Sequence, residues 1–295
     1  MSEYVFPTPP GLPEAPTWTG SGFRVGDQLL SVLEYSENSE GWTDDLTALH
    51  EEAAGQTHPI DMASRNDAIS RVAEEFRGRP FTLLEVGCSS GFLLRSLQKE
   101  FPSATLLGAD VVRQPLHDLA KELPNVPLLR FDLTCCPLHS ESCDAVVMLN
   151  VLEHIADDER ALGQVWRVLK PGGIAVVEVP AGPHLFDAYD KALLHFRRYR
   201  LRELTEKMWR AGFLVERGSH LGFFVYPAFA AVKRKNQRTL RDATDLDSLV
   251  RAQASKSSKS HLLSLAVKLE AAVGKWVRYP VGIRCLAVGR KPSVA

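Results

Sequence analysis

Residues 81–98 read FTLLEVGCSSGFLLRSLQ. An apolar run from Phe81 to Val86 meets Gly87-Cys88-Ser89-Ser90-Gly91, and Phe92-Leu93-Leu94 then opens a helical period. This is the pattern of a buried strand turning into a helix, with glycines where the backbone must bend sharply and approach a ligand closely. The same alternation repeats downstream. ATLLGAD (104–110), VPLLRFD (126–132), DAVVMLN (144–150) and GIAVVEVP (173–180) read as strands. PLHDLAKEL and DDERALGQVWRVL read as the helices between them, the second stopped by Lys170-Pro171-Gly172-Gly173. A helix at RLRELTEKMWRAGF (200–213), a strand at FLVERGS (213–219) and a final strand at GIRCLAVGRK (282–291) follow. Strands alternating with helices predict right-handed crossovers and an α/β, doubly wound, mostly parallel Rossmann-like sheet of about seven strands, with helices on both faces.

Outside this core the periods weaken. The first 25 residues are rich in Pro and Gly and read as an extended arm, and Gln28 to Asp61 is polar without a clean period. Ser64 and Asp67 read as a capping box for a helix whose Ala68, Ile69, Val72, Ala73 and Phe76 share one face and which ends at Gly78. LGFFVYPAFAAVKRK (221–235) is apolar with a basic end, 236–260 is polar, and HLLSLAVKLEAAVGKWV (261–277) is an apolar helix. The chain therefore divides into an arm and active-site lid (1–63), a core (64–219), a helical insertion (220–278) and a strand returning to the sheet (279–295). The insertion suits a substrate cover, a homodimer interface or, through its basic run Lys233-Arg234-Lys235 with Arg238 and Arg241, a membrane-surface element.

Composition sets the class. Of 295 residues 45% are hydrophobic and 24% charged, which excludes wholesale disorder. Lys plus Arg (35) nearly cancels Asp plus Glu (36), so nothing overall favours nucleic acid as a partner. Five cysteines without a C-x-x-C pair indicate neither a zinc site nor a disulfide framework, hence a reducing, cytoplasmic home and no metal. The opening MSEYVFPTPPGLPEAP lacks the marks of a signal peptide, and the apolar stretch Leu221–Val232 is short of the roughly 20 residues that span a bilayer.

The glycine spacing is E-x-G-x-x-x-G rather than the dinucleotide G-x-G-x-x-G. Glu85 at the strand end repels a diphosphate and welcomes a cation. Asp110 ends the second strand, where a carboxylate can accept ribose hydroxyls, and Asp132-Leu133 ends the third, suited to the edge and face of an adenine. The fourth ends in Asn150-Val151-Leu152-Glu153-His154. Together these strand ends describe a nucleoside pocket.

At this point the chain resembles the class I S-adenosylmethionine-dependent methyltransferases. LLEVGCSSGFLL is similar to their first motif, with Ser89 where glycine is more usual, and GAD resembles their ribose-binding acid. CDAVVMLNVLEHIADDERALGQVWRVLKPGGIAVVEVP and HFRRYRLRELTEKMWRAGF resemble the small-molecule branch. The resemblance implies S-adenosyl-L-methionine as cofactor and an antiparallel last strand. It implies that Glu85 meets the methionine amino group, that Gly87, Cys88, Ser89 and Gly91 pack against the cofactor, and that Asp110 binds the ribose. Asp132 and the Leu133 amide would read the adenine, and Asn150 would line the methionine portion.

Methyl transfer from a sulfonium is an in-line displacement that needs alignment, exclusion of water and, for a protonated nucleophile, a base. His154 lies one turn past the fourth strand, and His184 and His195 follow the fifth; these are the candidate bases. Tyr35, Arg198 and Tyr199 are candidate substrate contacts, with Trp42, His50, His58, Asp61 and Arg65 as further lid residues, although Arg198 and Tyr199 read equally well as loop anchors. No N-P-P-[YF] follows the fourth strand and no Pro-Cys stands there, which argues against amino-methylation of adenine or glutamine and against cytosine-C5 transfer. A small-molecule acceptor, sugar- or lipid-linked in one version, remains, with its acceptor atom open. Two other functions use the same sheet. A nicotinamide-dependent oxidoreductase would want a second glycine at Ser89 and no Glu85. An inactive binding protein would be expected to have lost some of Glu85, Asp110 and Asp132.

Overall fold

Alternating apolar strands and amphipathic helices assemble as the sequence predicts. A computed structural model describes residues 4–36, 58–239, 261–274 and 276–293. The central strands are β5 (Thr82–Val86), β6 (Thr105–Asp110), β7 (Leu128–Arg130), β8 (Cys143–Leu149), β9 (Leu169–Pro180), β10 (Leu214–Leu221) and β11 (Arg284–Arg290). Their order is β10-β11-β9-β8-β5-β6-β7, with β4 (Leu33–Glu34) added as an eighth strand in parallel to β7. β11 runs antiparallel to both of its neighbours, β9 and β10; β8, β5, β6 and β7 pair in parallel.

Period-2 alternation sends the strands' side chains into two cores. On one face Leu83, Ala145, Val147, Ile174 and Val176 meet α1 (Pro59–Phe76), α2 (Phe92–Glu100) and α3 (Arg113–Glu122) through Val72, Leu94, Leu97 and Leu116. On the other, Leu84, Val86, Val146, Met148 and Val177 meet α4 (Asp158–Val168) and α6 (Leu201–Arg210) through Leu162, Val165, Leu204 and Met208. A short α5 (Ala188–Ala192) lies between β9 and α6, and the helices α7 (Tyr226–Thr239) and α8 (His261–Val273) fall between β10 and β11.

Several expectations are corrected. The first 25 residues are not an extended arm: β1 (Thr17–Trp18), β2 (Phe23–Val25) and β3 (Gln28–Leu30) form a small antiparallel sheet. Phe6 and Phe23 enter the main core from this segment. α1 begins at Pro59, not Ser64, because proline fits the first helical turn; the Ser64 hydroxyl donates to the Ile60 carbonyl (3.1 Å) and caps nothing. α4 stops at Val168, just before Lys170–Gly173 as expected, and those four residues form the first part of β9, where the Gly172 amide donates to the Lys291 carbonyl (2.8 Å). The insertion leaves the sheet only after Leu221 and returns at Arg284, which are register partners. Of the adjacent free cysteines Cys135 and Cys136, the second is buried and the first exposed. Trp42, His50 and Arg241 lie outside the described residues.

Candidate active site

The turn after β5 is shaped by left-handed backbone. Gly87 (φ 76°) and Gly91 (φ 72°) occupy a region that glycine adopts without strain, and Ser89 takes it too (φ 45°). A Cβ on Gly87 would come within 2.5 Å of Val151 Cγ2, so the turn and the segment after β8 meet too closely for any side chain there. Ser89 is held by a hydrogen bond that the sequence did not announce: its amide donates to Asp110 Oδ2 (2.8 Å), while the Val112 amide donates to Oδ1 (3.1 Å). Asp110 thus organises the turn as well as ending β6.

Glu85 lies beneath this turn, 6% exposed, and its Oε2 has no hydrogen-bond partner. Burial, with the Asp110 charge beside it, pushes the Glu85 carboxyl well above the usual carboxylate range, and the Arg65 guanidinium pulls the other way. Arg65 comes from α1 and lies over the Phe92 ring (5.7 Å). α1 therefore brings a cation towards the carboxyl end of β5. Asp132 caps the turn after β7, its Oδ1 accepting from the Thr134 amide (2.7 Å), with Leu133 buried next to it. Asn150 ends β8 in the left-handed region (φ 56°), its amide donating to Glu178 (2.9 Å). Glu85, Gly87, Cys88, Ser89, Gly91, Asp110, Asp132, Leu133 and Asn150 thus come from the carboxyl ends of four adjacent strands, β8-β5-β6-β7.

Beyond β8 the chain builds a buried polar cluster. The His154 and His195 rings meet edge to face, 4.7 Å between centroids. Glu153 is fully buried with neither carboxylate oxygen hydrogen-bonded, and burial pushes its carboxyl up to about 8. Among the described residues, Glu153, His154 and His195 are the set whose ligand atoms lie within 4.8 Å of one another, a spacing from which a cation could be held. His195 Nδ1 lies 3.0 Å from Asp190 Oδ1. Burial lowers the His195 imidazole, against the pull of Asp190.

Asp190 is the hub of a network the sequence reading missed. It accepts from Arg198 Nε (2.7 Å) and Lys233 Nζ (3.0 Å), and Lys233 also donates to Asp187 (2.7 Å). Lys233 is 1% exposed, so it belongs to this network and not to a basic surface run. A second missed network joins Arg284 of β11 to Glu178 of β9 (2.9 Å) and to Ser64 (2.6 Å) and Asp61 of α1. A glutamate inside VVEVP and an arginine inside GIRCLAV were the signals for it.

The three expected substrate contacts are placed elsewhere. Tyr199 is wholly buried and its hydroxyl meets Asp158 (2.8 Å) and the Leu152 carbonyl (3.1 Å). Arg198 is buried on Asp190 and the Ala181 carbonyl, and the Tyr35 hydroxyl donates to Pro7 (2.7 Å). All three anchor loops. His184 is exposed, with Nε2 3.4 Å from the Tyr226 hydroxyl. It borders a cavity of about 760 Å³ lined in part by Arg200, Arg217, His220, Arg278 and Val281. That cavity lies beyond β9, at the β10–β11 end of the sheet, away from the glycine turn.

Residues 84–177 match the family described as a methyltransferase domain. A probable S-adenosylmethionine-dependent methyltransferase of Mycolicibacterium smegmatis is 29% identical over 151 residues, 50% of this chain and 56% of that protein. The trans-aconitate 2-methyltransferase of Deinococcus radiodurans is 35% identical over 129 residues, 42% of this chain and 49% of that protein. The chain spans about half the length of these curated relatives. Among solved structures, phosphoethanolamine N-methyltransferase 2 of Haemonchus contortus, in complex with phosphomonomethylethanolamine and S-adenosylhomocysteine, superposes with TM-score 0.51 at 17% identity, over 77% of this chain and 53% of that one. The [4+2]-cyclase SpnF superposes with TM-score 0.50 at 20% identity, over 78% and 81%. At such identities the likeness is one of fold.

Proposed function

We propose, from the premise that this chain is a class I S-adenosylmethionine-dependent methyltransferase by its domain and fold, that it transfers a methyl group from S-adenosylmethionine to a small-molecule acceptor. The observation that carries this is the unpartnered, buried Oε2 of Glu85 beside a cation, Arg65. A buried carboxyl group with an unused acceptor oxygen fits the ammonium at the methionine end of the cofactor. Asp110 would take the ribose hydroxyls, Asp132 the adenine amino group, and the Leu133 amide the ring. When bound, S-adenosylmethionine supplies a methyl group activated by a sulfonium.

The chain's own part is alignment, dryness and a base. The buried strand ends exclude water, and His154, which follows β8, is the base in this reading. Neutral imidazole can take a proton near neutral pH. The Asp190 carboxylate fixes His195, and the His195 ring in turn braces His154. The relative named for trans-aconitate supports a small-molecule acceptor. Titration calorimetry tests the reading: S-adenosylmethionine should bind one to one, and Glu85→Gln should weaken it at least tenfold. NAD binding in place of S-adenosylmethionine would overturn it.

A further inference from the structure

A helix on a protein surface ordinarily turns a polar face outward. α8 does not. Its inner side is fixed by Val267, packed with Ile60 and Ala63 of α1, and by Glu270, which accepts from the Gly222 (2.6 Å) and Phe224 (3.2 Å) amides. Its outer side carries Leu265 (66% exposed) and Leu269 (58%), then Val273 (38%), and Trp276 (90%) follows in the next turn. Spacings of four, four and three residues line these up as one stripe. Contiguous exposed apolar side chains of this size mark an interaction surface.

The charge around the stripe selects the partner. Lys268 and Arg278 are exposed on α8 and the turn after it, and Arg234 and Lys235 are exposed on α7. Among the described residues from 222 to 281 the single acid is Glu270, and it is buried. A second copy of the chain would bring the same positive charges against these, so self-association through this face is disfavoured. An anionic surface with an apolar interior is not.

We infer that the stripe Leu265-Leu269-Val273-Trp276, with Lys268 and Arg278, is a docking surface for an anionic lipid bilayer. The aliphatic side chains enter the acyl boundary, the indole rests at the headgroup level, and the basic residues meet lipid phosphates. No helix among the described residues is long and apolar enough to cross a membrane, so the contact is peripheral. Arg278 and Val281 also line the large cavity, which places its mouth beside the docked face. This inference stands apart from the methyl-transfer reading.

Sedimentation of the full chain with vesicles tests it. The protein should pellet with phosphatidylcholine–phosphatidylglycerol vesicles and far less with phosphatidylcholine alone. Leu269→Glu should weaken binding more than tenfold, and Arg278→Ala by about fivefold, the contribution of one basic residue near an anionic surface. Both replace exposed side chains, and calorimetry with S-adenosylmethionine in the same variants shows whether the fold is intact. Absence of wild-type binding to either vesicle overturns the inference, as does binding that survives Leu269→Glu. A dimer that Leu269→Glu dissociates, without vesicle binding, would assign the stripe to a second copy instead.

Discussion

Asp110→Asn separates two roles that one carboxylate holds. In the wild type its oxygens accept the Ser89 and Val112 amides, at 2.8 and 3.1 Å. Asparagine keeps the shape but offers one acceptor and one donor. One charge-assisted bond, worth about 1.5–3 kcal/mol, is lost to a donor–donor clash, and the other falls to the roughly 0.5–1.5 kcal/mol of a neutral bond. Against this, the Asp110 charge raises the Glu85 carboxyl, so its removal relieves a buried repulsion. A net loss of about 1–3 kcal/mol follows, or roughly 2–12 °C in Tm at about 2–4 °C per kcal/mol for a domain of this size. The ribose hydroxyls would also lose an ionised acceptor, so S-adenosylmethionine should bind about tenfold or more weakly even where the variant is fully folded. Thermal unfolding and titration calorimetry read the two effects separately. Wild-type Tm together with wild-type affinity would refute the reasoning, and a lowered Tm with unchanged affinity would confine Asp110 to the turn.

Other outcomes follow from the same geometry. Glu85 is raised by burial, so at low pH it is neutral; affinity for S-adenosylmethionine should rise as pH increases through that raised value, and Glu85→Gln should be weaker and flat in calorimetry between about pH 5 and 8. His154→Ala should lower turnover by about 10²–10⁴-fold with cofactor affinity unchanged, and the loss should shrink at high pH. Dialysis against a chelator should leave wild-type turnover intact; a chelator-sensitive rate would assign Glu153, His154 and His195 to a cation instead. Lys233→Met leaves Asp187 and Asp190 buried without their ammonium partner and should cost about 3–5 kcal/mol in denaturant unfolding, whereas a change within about 0.5 kcal/mol would show the network to be incidental.

What was legible in the sequence follows from period and length. β5, β6, β8 and β9 are runs of five or more apolar-rich residues that no surface segment would carry. The two- and three-residue strands β1 to β4 are too short to show a period, so Phe6 and Phe23 read as parts of an arm when they belong to the core. The residues expected at the cofactor all gather at one sheet edge because each ends a strand, and strand ends are visible in a pattern. Tyr199, Arg198 and Lys233 were misplaced for the opposite reason. Asp158 and Asp187 lie far off in the chain from Tyr199 and Lys233, Asp190 is buried only eight residues from Arg198, and only the tertiary fold decides whether a polar side chain faces a ligand or a buried ion.

The antiparallel β11 has a consequence for how the chain folds. It lies inside the sheet, between β9 and β10, although it is made last. Until residues 284–290 arrive, β9 presents an unpaired edge and β10 has no neighbour, so this end of the sheet waits on pairings between residues 63 to 116 positions apart. Such non-local pairing is slow and leaves edges open to other chains. A chain cut before Arg284 would therefore lose two strands rather than one. It would also leave the buried Glu178 without its arginine, and such a fragment should aggregate rather than settle into a smaller version of the same fold.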